Sequence, residues 1–209
     1  GGVCQDGDTN AACGINNAGD IVGTADGRAV LWDATTHGIV ELNSEWTAAG
    51  GWNLLSARDI NDAGLIVGAG MLDGATRGFV LDRDSGLIVE VPPVGPATSN
   101  YAFQVSAFGH VIGNAWDGEG AIWGTSPDYW RGFHWDVLDT GPVVLDPLTD
   151  GPSLVRGMND YGVSAGSSVI PSDDFGTIME VPTLWEFDAQ GKLLATDLNT
   201  QIPTKPAWY

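Results

Sequence analysis

Basic residues are scarce in this chain: eight Lys and Arg stand against 27 Asp and Glu, a formal net charge of −19. Nucleic-acid binding needs clustered Lys and Arg to displace phosphate counterions, and no cluster occurs here. An anionic membrane surface is disfavoured for the same reason. Hydrophobic residues make up 43%, yet no apolar run approaches the ~20 residues of a membrane helix, so no membrane insertion is expected. The opening residues Gly1, Gly2, Val3 and Cys4 have neither the basic nor the apolar region of a signal peptide, which would have been removed or lie outside this sequence. Apolar residues at helical spacing never persist for three turns. The acidity suits solubility, cation binding or a salty exterior.

Cysteine is almost absent. Cys4 and Cys13 are too far apart for a redox CxxC pair, and no second pair completes a zinc site. A local disulfide in an oxidising compartment is the simplest reading, with two reduced thiols in a cytosolic protein as the alternative. Catalytic motifs are missing too. His37, His110 and His134 form no HExxH or His-x-His pair, and there is no GxSxG elbow, phosphate-cradling loop or Cys/His nucleophile pair. Carboxylate pairs suited to glycosidic acid–base work arise by chance among 27 acids.

What the chain has is a repeat. Four segments align without gaps: GINNAGDIVG (14–23), DINDAGLIVG (59–68), QVSAFGHVIG (104–113) and GMNDYGVSAG (157–166). One glycine recurs at Gly19, Gly64, Gly109 and Gly162, another at Gly23, Gly68, Gly113 and Gly166. Asn, Asp and Gly before a β-branched run predict a tight hairpin and its returning strand. A third strand recurs at 28–32, 77–81, 131–135 and 183–185, and a fourth at 38–42, 87–91, 143–146 and 192–198. Four short antiparallel strands per copy are the unit of a β-propeller blade. The expected fold is all-β, a single domain over 1–209 with blades at approximately 9–43, 55–92, 101–146 and 153–198. The copies come in a whole number, with no terminal strand left to complete a blade begun at the other end. The expectation is a closed four-blade ring, with an open or oligomerising array as the rival.

The INNAGDIVG core, then an apolar strand ending in Trp32, then GIVELN (38–43), resembles the bacterial extracellular repeats called the HAF family. The likeness runs from about Thr9 to Tyr209 and is stronger in the first two copies. The resemblance implies secretion and a propeller-like fold, and no particular activity.

In an up-and-down blade, strand one–two and three–four turns share one face. Strand two–three loops and blade-to-blade connections share the other. The first class is tight in every copy, whereas the second varies from four residues to the long stretch 114–130, as functional loops on a rigid scaffold do. Trp46, Trp52, Trp116, Trp123, Tyr129, Trp130, Trp208 and Tyr209 all fall in the variable class, with Asp117 and Glu119 among them. Aromatic rings stack on sugar C–H faces and carboxylates accept hydroxyl protons, so Trp46, Trp52, Trp116, Asp117, Glu119, Tyr129, Trp130 and Trp208 are the candidate ligand-binding residues. The competing reading is that such rings cap blade ends. Trp32, Trp135 and Trp185 lie in third strands and are expected in the core.

Asp6, Asp8 and Asn10 place oxygen ligands at alternate positions, like the opening of a calcium loop. Ala11 and Asn17 stand where such a loop needs glycine and a bidentate Glu. The rival reading is a polar turn closed by the cysteines. Asp117 with Glu119, and Asp173 with Asp174, are further cation positions. Arg28, Arg77 and Arg131 share one repeat position, Arg58 and Arg156 another, and are expected to tether blade to blade through carboxylates.

Three functional readings follow. The first is a secreted, non-enzymatic module binding glycan or an extracellular protein partner through the aromatic, acidic loop face. The second is a structural, self-associating extracellular protein. The third is a polysaccharide-cleaving enzyme.

Overall fold

The computed structural model describes residues 10–43, 50–117, 130–138, 141–171 and 178–201. They form four antiparallel sheets of four strands, each with its strands in sequence order. The first sheet holds β1 (Asn10–Ile15), β2 (Ile21–Ala25), β3 (Arg28–Trp32) and β4 (Ile39–Glu41). The second holds β5 (Asn53–Ile60), β6 (Leu65–Leu72), β7 (Ala75–Asp82) and β8 (Ile88–Glu90). The third holds β9 (Ser99–Val105), β10 (His110–Trp116), β11 (Arg131–Asp136) and β12 (Val143–Val144). The fourth holds β13 (Ser153–Met158), β14 (Ser164–Pro171), β15 (Ile178–Phe187) and β16 (Leu193–Asp197). The arrangement is all-β and propeller-like, as the repeat predicts.

Both repeat glycines have a physical cause. Gly19, Gly64, Gly109 and Gly162 sit at φ between +79° and +89°, where a side chain would be strained. At Gly23, Gly68, Gly113 and Gly166 a Cβ would lie 1.9–2.0 Å from a carbonyl oxygen of the first strand. That strand bulges next to the contact in every copy, for example between Ala102 and Gln104 of β9, which pair with the consecutive Gly113 and Ile112.

Each strand's alternation gives a sheet two faces, a leading face toward the preceding sheet and a trailing face toward the next. Val22, Leu31 and Leu42 on the first trailing face pack with Ala57, Ile66, Phe79 and Leu81 on the second leading face. Val67, Val80 and Val91 meet Ala102, Val111, Phe133 and Trp135 in the same way. Ile112 and Leu145 meet Val155 and Trp185. Full burial of one such side chain stabilises by about 1.5–3 kcal/mol, so the joints between sheets carry the fold.

Polar clamps register the joints. Asn43 and Leu54 exchange two hydrogen bonds, Leu54 N to Oδ1 at 2.7 Å and Nδ2 to Leu54 O at 2.8 Å. Asn114 does the same to Val155 N and O at 3.0 and 3.2 Å, and Gln104 to Met158 N and O at 2.9 and 2.8 Å. The Asp59 carboxylate accepts from Val105 N at 3.0 Å.

The two ends differ from the joints. Ile15 is 64% exposed, whereas Ile60 at the same repeat position is 3% exposed. Trp32 is half-buried, whereas its equivalents Leu81, Trp135 and Trp185 are buried. On the other side Ala165 is exposed where Val22, Val67 and Ile112 are fully buried. Among the described residues, the fourth sheet does not pack on the first as neighbouring sheets pack on one another. The expected closed ring is therefore corrected to an open succession of sheets, and Trp32 stays half-buried because no described sheet covers its leading face.

Candidate ligand-binding face

The start of β9, the end of β10 and the start of β11 lie at one edge of the third sheet, where the long loop departs. Tyr101, Trp116 and Trp130 meet there. Trp116 packs on Trp130 with ring centroids 5.1 Å apart and planes tilted by 30°, and on Tyr101 at 5.8 Å. Phe103 extends the row, 6.0 Å from Tyr101. Ala69 of the second sheet and Leu154 of the fourth close the underside. The cluster thus spans two joints, which fixes its base against three sheets.

Burial separates the roles of the rings. Trp130 is only 7% exposed and Tyr101 6%, so both form a backing. Trp116 is half-buried and Asp117 exposed. Asn114 Nδ2 reaches Tyr101 Oη at 3.3 Å, and the Arg58 guanidinium lies 5.0 Å over the Tyr101 ring, a cation–π contact across a joint. Thr98 Oγ1 donates to Asp117 Oδ1 at 3.3 Å. The result is a half-buried indole packed on an aromatic floor, with an exposed carboxylate at the next residue.

Of the candidate residues, the structure brings Trp116 and Trp130 together, with Asp117 next in the chain and bonded to Thr98. It places Trp52 in a different cluster, edge-on to Phe79 at 6.1 Å and half-buried against the first joint. Trp46, Glu119, Tyr129 and Trp208 lie outside the described residues, as do Trp123, Tyr209, Asp173 and Asp174. The reading from sequence did not single out Tyr101. Its signal was an aromatic ring at a position held by Ala11, Ser56 and Leu154 in the other copies.

Asn10 is exposed, and its Oδ1 accepts from Asp26 N at 3.2 Å. Its expected companions Asp6 and Asp8 lie outside the described residues. Among the described residues no three His, Cys, Asp or Glu side chains are grouped to hold a metal ion. Cys13 carries no free thiol, and its expected partner Cys4 lies outside the described residues.

The arginines act differently from expectation. Arg28 and Arg77 pair with Glu41 and Glu90 at 3.1 and 3.0 Å, each on the adjacent strand of its own sheet, and Arg77 Nη1 also donates to Thr98 O ahead of the third sheet. Arg131 Nη1 donates to Trp130 O at 2.8 Å, and Arg156 pairs with Glu180 at 3.6 Å within the fourth sheet. Arg83 ties two sheets by charge, bonded to Asp20 and, at 2.7 Å, to Asp33. It stands in a turn where the other copies carry Ala34, Val137 and Ala189, so recurrence could not reveal it.

Carboxylates with displaced pKa values are accounted for by turns and joints. The backbone N–H of Thr36, with further turn donors, holds Asp33 below the usual range. Asn17 does this for Asp62, and the N–H groups of Asp84 and Ser85 for Asp82. Burial pushes Asp59 up, against the bonds from Val105 and Ile60. No family model and no curated protein matched the chain.

Proposed function

We propose that the chain is a binding module that takes carbohydrate on the loop face around Trp116. The supporting observation is the half-buried Trp116 ring, packed 5.1 Å from the buried Trp130, with Asp117 exposed at the next position of the chain. A pyranose presents apolar C–H faces and equatorial hydroxyls. An immobile indole offers contact area with little side-chain entropy left to lose, and a carboxylate accepts the hydroxyl protons. The dense negative charge favours neutral or cation-bridged glycans over polyanionic ones.

The reading places the protein outside the cell, in keeping with the HAF-type resemblance of its repeats. A Cys4–Cys13 disulfide and a calcium ion at Asp6, Asp8 and Asn10 belong to the same proposal. Glycan-array screening followed by calorimetry tests it. Trp116→Ala is expected to abolish binding without changing the fold, and Trp130→Ala to weaken both. Binding that survives Trp116→Ala, or no glycan bound by the wild type, refutes it.

A further inference from the structure

Three joints show which surfaces of these sheets recognise one another, and one surface of each kind is left over. The first leading face carries Ile15 and Ile39, 64% and 65% exposed, with Ile21 and Trp32 half-buried beside them. In the second sheet the equivalents Ile60, Ile66 and Leu81 are buried against a trailing face. The last trailing face carries Ala165, Leu184 and Leu198, where earlier copies bury Val67, Val80 and Val91 or Ile112, His134 and Leu145.

The polar and turn contacts at the joints are matched as well. Asn17 N donates to Asp62 at 2.7 Å, and Ala107 N to Asp160 at 3.1 Å, so each hairpin bonds the next. Asn61 Nδ2 likewise donates to Ser106 O at 2.9 Å. At the turn position the first joint has the charged pair Asp20 and Arg83. The second has the apolar pair Leu65 and Val137, both packed on its core. The corresponding end residues are Val163 and Ala34, again an uncharged pair. Bringing the two ends together therefore buries no unpaired charge at this position, and it sets the Asn159–Asp160 hairpin beside the Asn16–Asn17 hairpin.

We infer that these two end faces dock on each other between two copies of this chain, the last trailing face of one covering the first leading face of the next. The contact is head-to-tail rather than two-fold: each copy uses a different surface, and addition continues until a ring closes. Continuity with the three joints within the chain supplies its geometry. Pro182 stands where Gly78 and Gly132 donate to Asn100 and Ser153, so the intermolecular joint lacks that one bond.

Sedimentation velocity over a wide range of protein concentration tests this with Ile15→Asp and Ala165→Asp. Both positions are exposed, and unchanged melting temperatures at low concentration verify the fold. The wild type is expected to associate, and each variant alone to associate more than about tenfold more weakly. An equimolar mixture of the two variants is expected to give a discrete heterodimer, because each retains the face the other has lost. A wild type that is monomeric throughout overturns the inference, since the faces then close within the chain or stay bare. Persistent self-association of Ala165→Asp points to a two-fold leading-face contact and overturns it too, as does failure of the mixture to pair.

Discussion

Ile60 and Ile15 hold the same repeat position, one closed into a joint and one 64% exposed, which makes truncating each a direct measure of what a joint contributes. Ile60→Ala removes three carbons from an enclosed site, forfeiting ~2.4 kcal/mol of transfer free energy at ~0.8 kcal/mol per methylene. The cavity left among Val22, Leu31 and Phe79 raises the total to about 3–4 kcal/mol. Ile15→Ala loses only about a third of the transfer contribution, ~0.8 kcal/mol, with no cavity to enclose. For a chain of this size 1 kcal/mol moves Tm by about 2–4 °C. Ile60→Ala should thus lower Tm by about 6–16 °C, and Ile15→Ala by about 2–3 °C. Scanning calorimetry at low concentration, where self-association contributes nothing, gives both numbers. If unfolding is stepwise, as repeat arrays allow, the comparison belongs to the step that releases the first two sheets. Equal shifts for the two variants would mean that Ile15 is covered in solution by this chain itself, and the reading of an uncovered leading face would fail.

Other perturbations address other parts of the structure. Arg83→Val leaves Asp20, whose side chain is only 6% exposed, without its cation and should cost about 2–4 kcal/mol. Adding Asp20→Leu, which copies the Leu65 and Val137 pair, should recover part of that loss in urea unfolding, and strict additivity would refute the coupling. Gly113→Ala should prevent folding, because its Cβ would lie 2.0 Å from Tyr101 O; a soluble, cooperatively melting variant contradicts this. Acidification tests the turn carboxylates. Asp33, Asp62 and Asp82 are held below 3.8, so the stability they supply is present above that pH and lost as pH falls through their folded values. Asp59, pushed above 3.8, works the other way, its charged form costing stability above its folded pKa and that cost disappearing on protonation. Tm should therefore hold down to roughly pH 4 and then fall, and Asp82→Asn should flatten the fall. Peptide mapping without reductant should recover Cys4 and Cys13 joined, and two free thiols would exclude the disulfide.

The hairpin motif made the sheets legible because its glycines answer to backbone geometry, which sequence records directly. INNAGDIVG needs positive φ at Gly19 and a vacant Cβ at Gly23, and no other residue supplies both. The joints were less legible. Whether Ile15 is covered depends on a neighbouring sheet, not on its own strand, so closely similar local sequence gives opposite burial at Ile15 and Ile60. The aromatic face was half legible: the loop class located Trp116, but Tyr101 sits inside a strand, and Trp52 shares the loop class while packing on Phe79. Charge pairing was least legible. Recurrence suggested Arg28 and Arg77 as carboxylate ties between sheets, whereas those residues pair with glutamates on the adjacent strand, and an ion pair between sheets is made by the singular Arg83.

The differing pairs at successive joints also bear on how the chain finds its order. Four sheets of similar sequence could exchange places during folding, the characteristic hazard of repeats. An out-of-order contact that seated the third sheet on the first would set Val137 against Asp20, leaving a charge with no counter-ion in a closing core. Seating the second sheet on the first gives Asp20 its counter-ion. Singular residues that a consensus would smooth away thus serve as a label, telling the first sheet which neighbour to accept.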